Sequence, residues 1–304
     1  MHGHRSEDPT IERVSGVGLP HPRRGGGACV TPAVDGRPDF VTVRITLLHG
    51  FTGAPARFDR LSPMLSAASR ALPLALPLAL PLLGHGAPAP EVSSFDGEVD
   101  RLAVAITAAM PRGERWVVGY SLGGRLALGL AARHPELVAG VIAVGAHPGL
   151  ADVAAREERR RADAELADNI LSGGVQTFVD AWEKAPLFRS QRELPAALLA
   201  SQRRVRLSHS REGLARSLRI LGLGAMGDLR PALARSSVPV HLVTGAFDEK
   251  FSNLARGFSD AASHTVVEGA GHNVLLEKPE ALADIVEALT RDHASPHRSL
   301  EARP

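Results

Sequence analysis

The stretch RWVVGYSLGGR, Arg115 to Arg125, limits what this chain can fold into more than any other. An apolar β-type run ends at Tyr120, and a helical run begins directly after Ser121. A strand must therefore turn sharply into a helix within Gly119-Tyr120-Ser121-Leu122-Gly123. In such a turn the serine is strained with its hydroxyl exposed, and the two glycines let strand and helix approach closely. The pentapeptide alone is unspecific in a chain with 30 glycines; its position between a strand and a helix makes it informative.

Around this turn the pattern alternates. VTVRITLLHG reads as a buried strand ending in a glycine turn, the Pro-Leu run around 74–82 as a second strand weakened by its prolines, and VAGVIAVG as another β-rich run. VPVHLVTG and HTVVEGAG follow near the other end, each leading into a helical stretch. Strands alternating with helices predict an α/β fold with a mostly parallel sheet covered on both faces. From Leu150 to about Leu223 the alternation stops, and charge-rich amphipathic helical runs such as DVAAREERRRADAELADNIL take over. The expected organisation is a core over 39–149, a helical lid over 150–225 and the rest of the core over 226–292. Residues 1–38 and 293–304, rich in Gly, Pro and Arg or without periodicity, are expected to be disordered.

Composition excludes several classes. The chain has 304 residues, 44% of them hydrophobic and 22% charged, enough for one large α/β domain or two small ones. A formal net charge of +2 is no nucleic-acid signature, and the sequence pI of 9.1 reflects only a small surplus of arginine. A single cysteine, Cys29, allows no intrachain disulfide and fits a reducing cytoplasm. The N-terminus lacks the apolar core of a signal peptide. The longest apolar run, Ala71 to Leu83, is shorter than the ~18 residues that cross a bilayer. A cytoplasmic protein without membrane insertion is expected; oligomeric state is not encoded legibly.

A serine hydroxyl is a poor nucleophile or base until a histidine takes its proton and a carboxylate orients that histidine. Asp248 follows the VPVHLVTG strand and His272 follows HTVVEG, giving the chain order Ser121, Asp248, His272 with both partners on loops after strands. The N–H of Leu122 and one from His49-Gly50-Phe51-Thr52-Gly53, with Phe51 as donor, are the expected oxyanion hole. His85 and His147 read as turn residues with a structural role, and both are also placed to line the pocket mouth. No Cys/His spacing suits zinc, no glycine-rich loop suits a nucleotide, and no cofactor is implied.

Taken together, LLHGFTG, GYSLGGR, HPGL at His147 to Leu150, the REERR run, Trp182 with Pro186-Leu187-Phe188, GLARSLRILGLGAMGDL, GAFDEKF and AGHN make a specific combination. It resembles the 2-succinyl-6-hydroxy-2,4-cyclohexadiene-1-carboxylate synthases of menaquinone biosynthesis, on the α/β-hydrolase fold, over about residues 41–290. The resemblance implies a lyase that removes a proton α to a succinyl ketone and releases pyruvate, with Ser121 as base, relayed by His272 and oriented by Asp248. It also implies a small-molecule substrate with several carboxylates, which the planar fork of arginine holds well. Arg125 and Arg159 match two pocket arginines of that family. The third is Arg203 or Arg206, because a short gap leaves the alignment open there. Tyr120 and Trp182 match pocket aromatics. One departure is Pro81-Leu82-Leu83-Gly84-His85-Gly86, where related sequences carry an acidic residue before the turn; it leaves that loop's conformation open.

Two other readings use the same residues. A carboxylesterase or carbon–carbon bond hydrolase would use Ser121 as a true nucleophile, and one acting on neutral esters would have no use for Arg125. A non-catalytic ligand binder would keep the pocket without turnover.

Overall fold

The computed structural model describes residues 43–68, 77–87, 89–258 and 262–294. The expected disordered extension 1–38 lies outside the described residues, as does the expected tail 293–304 except for residues 293 and 294, which end the last helix instead. The chain runs through β1 (Val43–Leu48), α1 (Leu61–Ala68), β2 (Leu78–Leu80), α2 (Phe95–Ala109), β3 (Glu114–Tyr120), α3 (Leu122–Arg133) and β4 (Gly140–Val144). Then come α4 (Val153–Trp182), a 3-10 stretch (Pro186–Glu193), α5 (Ala196–Leu207), α6 (Arg211–Leu221) and α7 (Arg230–Leu233). Strand β5 (Val240–Gly245), α8 (Glu249–Arg256), β6 (Ser263–Val267), α9 (Val274–Glu277) and α10 (Pro279–Ala294) complete it.

The six described strands form one parallel sheet in the order β2-β1-β3-β4-β5-β6. Its central strands are apolar and buried along almost their whole length, as strands covered on both faces must be. Side chains alternate between the faces. Val117 joins the layer under α2 and α3, while Trp116 and Val118 join the layer under α1 and α10. β2 has only three residues, bracketed by Pro77 and Pro81, and is the end strand of the sheet among the described residues, a position that tolerates proline.

Between β4 and β5 no described segment joins the sheet; α4, α5 and α6 lie there instead. α4 and α6 pack on each other around Ile170, Phe178, Val179, Leu214 and Leu218. Each starts with a side-chain cap, Asp152 accepting from the Ala155 N–H and Ser210 from the Gly213 N–H. α4 changes direction at Gly174 (φ 79°, ψ 165°), a backbone conformation that a glycine tolerates and most side chains do not.

The turn that lacks the acidic residue, Pro81 to Gly86, is held from elsewhere. Glu98 of α2, fully buried, accepts the Leu83 N–H at 2.9 Å and pairs with Arg101 at 2.7 Å, and Arg101 also donates to the Pro81 carbonyl. An acid one helix away replaces the local one. Removing one partner of a buried pair strands the other, at a cost of about 3 kcal/mol. Glu98→Ala should therefore lower the melting temperature by roughly 5–10 °C, and Glu98→Gln, which keeps an acceptor for Leu83, by clearly less. Equal losses in calorimetry would refute this account of the loop.

Candidate active site

The carboxyl ends of β3, β5 and β6 bring three side chains together. Ser121 follows β3 directly, at φ 51° and ψ −105°, a conformation rare outside glycine that costs of order 1–3 kcal/mol. Its N–H donates to the Val144 carbonyl at 2.8 Å, which fixes the turn to the neighbouring strand. The glycines are required by contact: a Cβ on Gly119 would stand 2.2 Å from the Gly123 carbonyl oxygen, and one on Gly123 would stand 2.1 Å from that of Leu48. His272 Nε2 lies 3.2 Å from Ser121 Oγ, and its Nδ1 lies 2.7 Å from Asp248 Oδ2. Both His272 and Asp248 are buried. The chain Ser121–His272–Asp248 thus has the geometry of a proton relay.

The loop carrying Phe51 is a tight turn closed by the Gly53 N–H on the Gly50 carbonyl at 2.9 Å, with Thr52 at φ 62°. Gly50 admits the Tyr120 ring, which a Cβ would meet at 2.8 Å. His85 secures the turn: its Nε2 accepts the Thr52 N–H at 3.0 Å, and its Nδ1 donates to the Leu83 carbonyl at 3.0 Å. The His49 and His209 rings stand edge-on to His85, at 5.2 and 4.9 Å between centroids. Burial disfavours the charged form of all three imidazoles: it lowers His49 to about 4 and His85 well below its ordinary value, and it lowers His209 against hydrogen bonds to the Thr52 and Gly53 backbone that raise it. His85 is thus a positioning residue for the loop, beyond the turn role that its sequence suggests.

A cavity of about 410 Å³ opens over Ser121 and His272. Phe51, Tyr120, Trp182, Leu187 and Phe188 supply apolar walls, and Phe51 meets Trp182 edge-to-face at 5.8 Å. The charged lining is Arg125, Arg159 and Lys250 against the single carboxylate of Asp163, which Arg159 engages at 2.8 Å. Arg125 donates from one amino group to the Leu221 carbonyl at 2.7 Å and forms no direct ion pair among the described residues. Burial first, and Arg159 next, bring its pKa down to about 10, so it remains a cation. His147 also lines the cavity, held neutral by burial and the surrounding cations with a pKa of about 4. The Ser217 hydroxyl and the Trp182 indole N–H have no partner among the described residues, and both residues line the cavity. Among the described residues no group of three or more His, Cys, Asp or Glu converges as metal ligands would.

Residues 47–285 match the alpha/beta hydrolase family. An Enterobacter protein named 2-succinyl-6-hydroxy-2,4-cyclohexadiene-1-carboxylate synthase is 32% identical over 84% of this chain and 94% of its own. A Salmonella newport protein of the same name is 31% identical over 86% and 96%. The chain belongs to this synthase family. The solved MenH of S. aureus superposes with a TM-score of 0.77 at 27% identity, covering 83% of this chain and 94% of that one. A Thermogutta terrifontis esterase, at 23% identity and TM-score 0.65 over 83% and 91%, shares the fold.

Of the residues expected to hold the synthase substrate, Tyr120, Arg125, Arg159 and Trp182 line the main cavity together with Phe51 and Leu122. Arg203 does not. It is tied to Asp180 and, at 2.6 Å, to Glu183, and it faces a separate hollow of the helical insertion. Arg206 pairs with Glu183 at 3.0 Å and lines a small cavity behind Tyr120 and Phe51. Sequence reasoning passed over Lys250 and Phe251, although both lie in the quoted GAFDEKF, and over Asp163, which only the fold of α4 aims inward.

The neutral histidines give the synthase a pH signature. With folded pKa values below the unfolded value of about 6.5, the unfolded chain takes up protons that the folded one refuses, so their contribution is present above about pH 6.5 and is lost as pH falls toward 4. The melting temperature should drop across that window. His85→Gln, whose amide oxygen accepts the Thr52 N–H without titrating, should drop less; an unchanged slope would exclude His85 as a contributor.

Proposed function

We propose that this protein eliminates pyruvate from 2-succinyl-5-enolpyruvyl-6-hydroxy-3-cyclohexene-1-carboxylate, a step of menaquinone biosynthesis, as the names of its relatives state for them. The observation that carries this reading is the union of an aligned Ser–His–Asp relay with a cavity lined by three cations and one carboxylate. A substrate bearing several carboxylates suits that excess of positive charge, and a neutral ester does not.

In the proposed reaction Ser121 Oγ takes the proton from the ring carbon α to the succinyl ketone and passes its own proton to His272. Asp248, at 2.7 Å, stabilises the imidazolium that forms. The electron pair of the broken C–H bond forms a new ring double bond, the existing double bond moves one position along, and the carbon–oxygen bond to the enolpyruvyl group breaks. The released enolpyruvate is protonated at carbon to give pyruvate. Negative charge on the succinyl oxygen is met by the N–H groups of Phe51 and Leu122, since an enolate and a tetrahedral oxyanion make the same demand on a site. Arg125 and Arg159 would hold carboxylates on the far wall, and of the two alternatives in α5, Arg206 is the better placed. The relay requires no metal or organic cofactor, and catalysis in the cytoplasm fits the lack of any described helix long and apolar enough to cross a membrane.

The test follows pyruvate release from the cyclohexene substrate beside cleavage of a nitrophenyl ester. Wild type should release pyruvate with little ester cleavage. Ser121→Ala should lose at least about 10³-fold in kcat, and Arg125→Ala about 10- to 100-fold in kcat/KM, the worth of a charge-assisted hydrogen bond. Fast ester cleavage without pyruvate would make the protein a hydrolase, and an unchanged kcat/KM in Arg125→Ala would remove the charge argument.

A further inference from the structure

Behind the oxyanion loop lies a second, smaller cavity of about 30 Å³, which shares Phe51, Tyr120 and Phe188 with the main one. A water-sized probe sphere occupies roughly 10–15 Å³, so this space suits the two oxygens of a carboxylate. Two guanidinium groups face it, those of Arg57 and Arg206. Arg206 is neutralised by Glu183, which also serves Arg203. Arg57 is different. It comes from the 3-10 turn (Pro55–Phe58) directly after the loop, and its guanidinium, unlike its backbone N–H, makes no hydrogen bond or ion pair with any described residue. Asp59, whose charge favours the Arg57 cation, is exposed to solvent and forms no ion pair with it among the described residues. Burial, and then the like charge of Arg206, press its pKa down to about 10, the direction expected of a desolvated cation without a counterion.

A second observation lies on the same wall. Gln202, 4% exposed, lines the cavity and shares one amide hydrogen bond with Gln191 at 3.2 Å, leaving one end of each buried amide without a partner. Turning both amides over preserves that bond and presents the Gln202 NH₂ group as a donor. Buried polar atoms without partners are rare in folded proteins and mark a place where something else binds.

We propose that Arg57 is a substrate-binding residue that completes a carboxylate subsite behind the oxyanion loop, with Arg206, the Tyr120 hydroxyl and the Gln202 amide as its other walls. The inference rests on the proposed elimination and adds which part of the substrate the subsite takes. The succinyl ketone oxygen belongs between the Phe51 and Leu122 N–H groups, and the succinyl carboxylate lies two methylenes beyond that ketone. Phe51 and Tyr120 flank both positions. The succinyl carboxylate therefore enters the small cavity, while the ring and enolpyruvyl carboxylates face Arg125, Arg159 and Lys250.

The test compares wild type, Arg57→Gln and Arg57→Lys on the full substrate and on an analogue whose succinyl carboxylate is converted to the amide. Arg57→Gln should raise KM about tenfold or more on the full substrate with kcat changed by less than threefold. On the amide, wild type and Arg57→Gln should share one KM, and Arg57→Lys should recover part of the affinity for the acid. An equal KM penalty on acid and amide, or none on either, would overturn the assignment. If wild type releases no pyruvate, the functional reading fails by itself, and titration with succinate by calorimetry still decides the subsite. Succinate should then bind wild type at least tenfold more tightly than Arg57→Gln; equal affinities would overturn it.

Discussion

The contact between the Gly123 Cα and the Leu48 carbonyl, where α3 crosses the end of β1, governs the rest of the molecule. There is no room for a Cβ between them, and the same is true where Gly119 meets the backbone of Gly123. This closeness lets the chain leave β3 and enter α3 within one residue, at the price of a strained Ser121. The strain is sustained because the sheet over-determines it: the Ser121 N–H is bonded to Val144, and the Gly145 N–H in turn to Val243. Strands β3, β4 and β5 are thereby locked in register beneath the serine, which leaves Asp248 and His272 only short loops in which to find their places.

Polarity around the serine is arranged in two halves. One half is neutral: His49, His85 and His209 are kept from taking a proton, so the loop carrying Phe51 rests on imidazoles that accept and donate without adding charge. The other half is cationic, with Arg125 from the core and, from the insertion, Arg159, which alone of the two pairs directly with Asp163. A dianion or trianion entering the cavity would gain Coulomb energy on one wall and meet uncharged hydrogen-bond groups on the other, where negative charge develops during reaction.

How much of this is legible in the sequence depends on how far each residue's place is set by its neighbours in the chain. Ser121, Asp248 and His272 each follow an apolar strand directly, and parallel strands deliver their ends to one edge. Arg125 lies one helical turn past Ser121, so helix periodicity alone aims it at the serine. Arg203 and Arg206 differ by less than one turn of α5 and share Glu183; only the further tie to Asp180 and the cavity behind Tyr120 separate the arginine held in the insertion from the one facing the site. β2 was obscured by its flanking prolines, which an edge strand tolerates. Arg57 carries no signal in the sequence, because nothing in its neighbours along the chain marks it as facing the small cavity.

The bend of α4 at Gly174 has a consequence for how such a protein can change over generations. Arg159 lies on one side of the bend and Trp182 on the other. A straight helix would couple them, so that any shift made to accommodate a new ring against the tryptophan would drag the arginine off its anion. With the axis broken between them, the two contacts are separate adjustments. Inheritance can retune the aromatic wall for a different carbon skeleton while the charge reader stays in place, and neither change disturbs the serine turn beneath.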